Sequence, residues 1–162
     1  MIALRFVRLI ESHSDLLAEG VLLKLRSSAR SADLLDRVPE AELRDRVYEI
    51  YRNLSEWLLN KTDADIRRVY LELGRRRAEQ GVTISSLCWS IMMTRENLWD
   101  FLQNQGLRET PMQLLGELEL LRLLDQFYDR ATYYTALGHE SYVRETQTLR
   151  IGELRRSARA DA

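Results

Sequence analysis

The segment from Gly74 to Leu102, GRRRAEQGVTISSLCWSIMMTRENLWDFL, limits the folds open to this chain more than any other stretch. It runs from a polar helix end through a glycine stop and a fresh cap into a helix that is apolar on nearly every side. Ile84, Leu87, Ile91, Leu98 and Phe101 recur at helical spacing, and Cys88, Trp89, Met92, Met93 and Trp99 widen that stripe. A surface helix ordinarily shows an apolar stripe of about 100°, so a helix this broad must be enclosed by other helices or by a second subunit. Gly81 supplies the stop and Thr83 or Ser85 the restart, which predicts a tight αα-hairpin.

The rest of the chain reads the same way. Its 162 residues fit one domain with a real core, and two prolines and seven glycines leave little room for strands and turns. The expected fold is all-α: a single helical-bundle or globin-like domain over residues 1–162, with five to six helices and a long C-terminal one. Residues 2–30 form one helix or two abutting ones. Ile2, Phe6, Leu9 and Ile10 make the first stripe; Leu16, Leu17, Val21, Leu22 and Leu25 continue it after the SHSD interruption, where Ser14 is a candidate cap. Ser27, Ser28 and Ser31 mark a loop, and ADLLDR a short turn into Val38–Pro39. Pro39 opens a helix with Leu43, Val47, Ile50, Leu54 and Trp57 inward, running to Asn60. Thr62 or Asp63 caps the next, with Ile66, Val69, Tyr70 and Leu73 inward. Gly106 closes the apolar helix, and Thr110–Pro111 opens the last one. That helix runs to the mid-150s, roughly 60 Å at about 1.5 Å per residue. Leu114, Leu118, Leu121 and Phe127 or Tyr128 are assigned to the core, and residues 146–162 to a partly exposed, fraying tail.

Several function classes fall away. With 24 basic and 25 acidic residues the net charge is −1, so no overall field favours nucleic acid or anionic lipid. The start, MIALRFVRLIESHSD, lacks a signal-peptide core and the length of a membrane span, so a cytoplasmic location is expected. His13 and His139, the two histidines, have no partners at zinc spacing, and no metal or cofactor is expected. His139 lies among Tyr128, Thr135 and Tyr142 on one helical stripe. It is a candidate pocket residue or haem ligand, set against an interfacial histidine bonded to a neighbouring hydroxyl. Cys88 sits on the most apolar helix, which predicts burial and inertness. Arg75, Arg76 and Arg77 splay around a helix and read as a solvated end paired with Glu72 and Glu79. Carboxylate pairs such as Asp63 with Asp65 point apart, and no phosphate loop or nucleophile–base spacing appears, so no enzymatic activity is expected.

Two segments carry a family resemblance. ELGRRRAEQGVTISSLCWSIMMTRENLWDFL resembles the N-terminal domain of the RsbT co-antagonist family, of the RsbR and RsbRD type. The family's R-A-x-x-G helix end corresponds to Arg77, Ala78 and Gly81, and its following apolar helix to Arg95 and Trp99. FYDRATYYTALGHESY, with Phe127, Asp129, Arg130 and Ala131, looks like the family's closing helix. The resemblance implies a helical sensory domain, globin-like without haem in some members, that dimerises and normally precedes an effector module. Since the sequence stops at Ala162 without such a module, the expectation is either a protein partner that carries it or a stand-alone regulator. It implies no catalytic residue.

The apolar breadth of residues 84–102 and the overhang of the last helix also call for cover. The expected cover is a second copy, with Trp89, Met92, Arg95, Trp99 and Tyr134 as interface candidates, types enriched in interface cores.

Overall fold

The computed structural model describes residues 3–105 and 110–160. They form seven α-helices: α1 (Ala3–Ser12), α2 (Ser14–Arg26), α3 (Ala32–Arg37), α4 (Glu40–Arg52), α5 (Asp63–Glu79), α6 (Ile84–Asn104) and α7 (Pro111–Ala160). A 3-10 turn at Ala29–Ser31 and a π turn at Glu56–Asn60 complete the regular structure. The all-α expectation holds, with more pieces than five or six. His13, at φ −113° and ψ 20°, breaks the first helix in two. Ser14 is not a cap but a buried residue of the first turn of α2. ADLLDR, expected as a turn, is a helix because Leu34 anchors it in the core. The helix expected to reach Asn60 stops at Arg52, since Asn53 leaves helical geometry; Leu54, between that break and the π turn, is still in the core. Gly106 and Ile2 lie outside the described residues.

Thr62 caps α5 through a reciprocal capping box with Asp65, and Thr83 caps α6. Gly81 ends the intervening turn at φ 80°, a left-handed conformation suited to glycine. The tight hairpin nevertheless does not form. α5 packs along α7, while α6 turns away to lie between α2 and α7. Glycines decide this pairing. A Cβ on Gly74 would overlap the Thr135 carbonyl oxygen, and one on Gly138 would overlap that of Leu71, so α5 and α7 approach backbone to backbone.

α7 spans 50 residues, about 75 Å at roughly 1.5 Å per residue. Its buried stripe is Gly116, Leu120, Leu124, Phe127, Tyr128, Ala131, Thr135, Gly138 and His139. Leu114 and Leu118, assigned to the core from sequence, are 55% and 54% exposed instead. The helix carries two apolar stripes, and the one with the small residues goes inward because only it permits the close approach to α5. Leu16 is exposed for the same kind of reason: α2 buries Leu17, Ala18, Val21, Leu22 and Leu25. From Val143 onward nearly every side chain of α7 is exposed, the Arg75–Glu145 ion pair at 2.8 Å tying down the start of this stretch.

Candidate functional site

The side of α6 that faces the core is partly polar and fully engaged. Tyr51 donates its hydroxyl to the Thr94 carbonyl at 2.6 Å, and Asn97 donates Nδ2 to the Leu17 carbonyl at 2.9 Å. The Leu34 amide donates to Ser86 Oγ at 3.2 Å. These bonds fix the rotation of α6, because turning it would leave Asn97 and the Leu17 carbonyl buried without partners. The consequence is that Met92, 44% exposed, and half-buried Trp89 and Trp99 face outward.

Those outward residues line an open groove of about 580 Å³ between α6 and α7, opposite Leu121, Asp125 and Asp129. Past Met92 it continues into a recess of about 350 Å³ bounded by Thr132 and Tyr133. Arg95 bridges the groove, its Nη1 standing 3.6 Å from Asp125 and 3.5 Å from Asp129. Trp89 lies under the Arg30 guanidinium, 4.5 Å from the ring centroid, and its buried indole nitrogen has no partner among the described residues. Leu118 and Leu114 sit one and two turns before Leu121 on the same side of α7, so the apolar strip continues along it. Four of the five interface candidates therefore share one groove. Tyr134 does not: its hydroxyl donates to Asp63 at 2.6 Å, across to the start of α5. Tyr133, a 100° step away along the helix, lines the groove in its place.

The other sequence candidates resolve individually. His139 is buried, with Nε2 2.7 Å from the Val82 carbonyl, so it bonds backbone rather than a hydroxyl, and it does not line the groove. Cys88 is half-buried rather than enclosed; burial, and then the Glu140 carboxylate, push its thiol up, away from the reactive thiolate. The arginine run is a solvated end only at Arg75 and Arg76, which are 38% and 59% exposed. Arg77 is 3% exposed and donates to Glu42 at 2.5 Å and to Gln80 at 2.7 Å, while Arg76 also reaches Glu42. Among the described residues no group of three or more His, Cys, Asp or Glu side chains is placed to hold a metal ion, and no helix is long and apolar enough to cross a membrane.

Residues 15–157 match the family described as the RsbT co-antagonist protein rsbRD N-terminal domain. The chain belongs to this family. No curated protein and no solved structure matches it. As an rsbRD N-terminal domain it is a regulatory, sensory domain of signal transduction. The residues that carried the resemblance turn out to be structural joints of the rsbRD domain. Gly81 makes the α5–α6 turn, Arg77 ties that helix end to α4, and Arg95 meets Asp129 across the groove. The groove residues not legible in the sequence are Leu121, Asp125 and Tyr133, with exposed Leu118 one turn before Leu121 on the same strip. The signal for Leu118 was present as its i, i+4 relation to Leu114 but was assigned to the core.

Proposed function

We propose that this domain regulates by protein contact rather than catalysis, as a homodimer in which the α6–α7 groove of each copy is filled by the other. The observation that carries the reading is that α6 is apolar on two sides: Leu87, Ile91, Leu98 and Leu102 point inward with the satisfied polar residues, and Trp89, Met92 and Trp99 point out. A helix fixed in that orientation has its apolar side available for a partner. A second copy suits the groove because its charges are self-complementary. Arg95 sits between Asp125 and Asp129, and a two-fold axis along the groove sets the arginine of one copy against the acidic side of the other. The two pairs of helices then form a four-helix arrangement of the kind that buries such strips.

The overhanging end of α7 supplies the output. Leu149, Ile151 and Leu154 are exposed there, beside Arg150, Arg155 and Arg156. A continuous helix transmits a small rotation at the groove to this end, where a partner carrying an effector module reads it. The cytoplasmic location expected of such a partner is part of the same proposal. Tryptophan emission tests the groove. With Trp57 and Trp89 changed to Phe, Trp99 is expected to be shielded from acrylamide at high protein concentration and opened by dilution or by Leu118→Glu. A Trp99 equally open to acrylamide at micromolar and millimolar protein overturns the reading.

A further inference from the structure

A cavity of about 60 Å³ lies inside the bundle, where α2, α4, α5, α6 and α7 converge. Its walls are largely aliphatic, with Val21, Leu25, Val47 and Ile91 among them. Arg46, Tyr70, Arg77, Ser90, Thr94 and Tyr128 break that pattern, and two of them stand apart. Arg46 of α4 and Tyr128 of α7 both line the cavity, and both carry buried polar atoms with no hydrogen-bond partner among the described residues: Nε and Nη2 of Arg46, and the Tyr128 hydroxyl. Tyr128 is only 3% exposed. Thr94 stands near that hydroxyl, but its own Oγ1 donates to the Ile91 carbonyl at 2.7 Å. Buried polar groups ordinarily find partners, and two orphans lining one small apolar space point to something that binds there.

The chemistry of the orphans narrows what that is. Arg44 pairs with Asp15 and Glu19, and Arg77 with Glu42, whereas Arg46 makes no ion pair among the described residues. Its guanidinium lies against the Tyr70 ring, 5.5 Å from the centroid. Nε and one terminal nitrogen form one edge of the guanidinium fork, the edge that matches the two oxygens of a carboxylate. Size limits the remainder of the ligand. An apolar cavity of roughly 150 Å³ admits benzene, so this one takes only a few heavy atoms. We propose that the cavity binds a small monocarboxylate of two or three carbons, its carboxylate on the Arg46 edge and the Tyr128 hydroxyl, its alkyl end against the aliphatic wall. The proposal deepens the regulatory reading by naming its input, and binding can be measured whether or not the chain dimerises.

Two further features fit. Arg46, Leu73 and Arg77 line both this cavity and a surface groove between α4 and α5, so a swing of Arg46 opens a path. That mouth carries Glu42, Asp45, Glu49 and Glu72 against Arg46, Arg68, Arg76 and Arg77, a balance that does not repel an anion. Burial pushes the Tyr128 hydroxyl well up, and the Tyr70 hydroxyl likewise, so both stay protonated donors at ordinary pH. On the other side, Ile91 and Tyr128 line the recess of the α6–α7 groove as well as the cavity. A ligand that shifts Tyr128 therefore touches the surface assigned to dimerisation.

The test is calorimetric titration and thermal melting of the full chain with sodium acetate and propionate, against sodium chloride at equal ionic strength and against propionamide. Saturable binding of at least one carboxylate and none of propionamide is expected. Arg46→Met should weaken binding tenfold or more with an unchanged circular dichroism spectrum, and Tyr128→Phe should weaken it less. No saturable binding to the wild-type chain, or equal binding of the amide, overturns the proposal. So does undiminished binding by a folded Arg46→Met variant. If that variant fails to fold, undiminished binding by Tyr128→Phe overturns it. Light scattering on the same samples separates the two readings: a monomer that binds keeps this site and removes the dimer, and a dimer that does not bind does the reverse.

Discussion

Gly74 and Gly138 set the separation of α5 and α7, because at each the atom a side chain would meet is a backbone carbonyl that cannot swing aside. Gly138→Ala is expected to cost about 3 kcal/mol, the upper part of the overpacking range, and Gly74→Ala a similar amount. Gly152→Ala, with nothing within reach of its new methyl, should leave the urea midpoint unchanged. Equal midpoints for all three would contradict the close approach. Arg77 and Glu42 make a second residue-scale case. The hydrogen bond from Arg77, and then its charge and that of Arg76, hold the Glu42 carboxyl below its ordinary value against the opposing effect of burial. A carboxylate lowered on folding stabilises fully above its unfolded pKa, and the contribution drains away as pH falls through the folded one. Glu42→Gln should therefore destabilise the protein at neutral pH by about 1–3 kcal/mol and flatten the acid side of its stability profile. Urea melts between neutral and acid pH check this; an unchanged acid slope counts against the pairing. In the sequence the arginine run was correctly seen to splay around its helix. That Arg77 would meet a carboxylate from α4 was not visible, since the pairing depends on how two distant helices pack.

At the scale of elements, local signals were legible wherever they act within a few residues. The Thr62 and Thr83 caps, the Gly81 stop, the acidic first turn of α4 and the amphipathic stripe of α5 all appear where the pattern placed them. Thr62→Ala should cost about 1 kcal/mol, and Thr83→Ala less, because the Asp33 carboxylate still accepts from the Thr83 amide at 2.7 Å. Equal losses in urea denaturation would show that Asp33 gives no independent support. Pairings between elements were less legible. A two-residue link between Gly81 and Ile84 suggested that α5 and α6 lie side by side, but glycine contacts draw α5 to α7. The same contacts chose which stripe of α7 turns inward, so Leu114 and Leu118 lie outside. Apolar counts rank those leucines above Gly116, Ala131 and Gly138, whereas close helix packing ranks them below. The breadth of α6 is plain in the sequence, whereas its buried Asn97 and Thr94, which settle its rotation, carry no signal there.

The whole molecule is a compact bundle with one long helix running out of it. Its groove gathers Trp89, Met92, Arg95 and Trp99 from α6 with Leu121, Asp125 and Asp129 from α7, exposed Leu118 extends the strip beyond it, and its inner cavity shares Ile91 and Tyr128 with the groove's recess. The sequence made the α6 half of this surface legible and missed the α7 half, because a groove depends on which stripe of each helix the core has claimed. Regulation by contact then rests on what fills the groove. The most direct measurement is the solution mass by light scattering of the wild-type chain and of Leu118→Glu, which places a charge on the exposed strip without touching the core. A dimer closed through the groove gives twice the chain mass for the wild type and a single chain mass, with unchanged helicity, for the variant. A wild-type monomer, or a dimer that Leu118→Glu leaves intact, would contradict it.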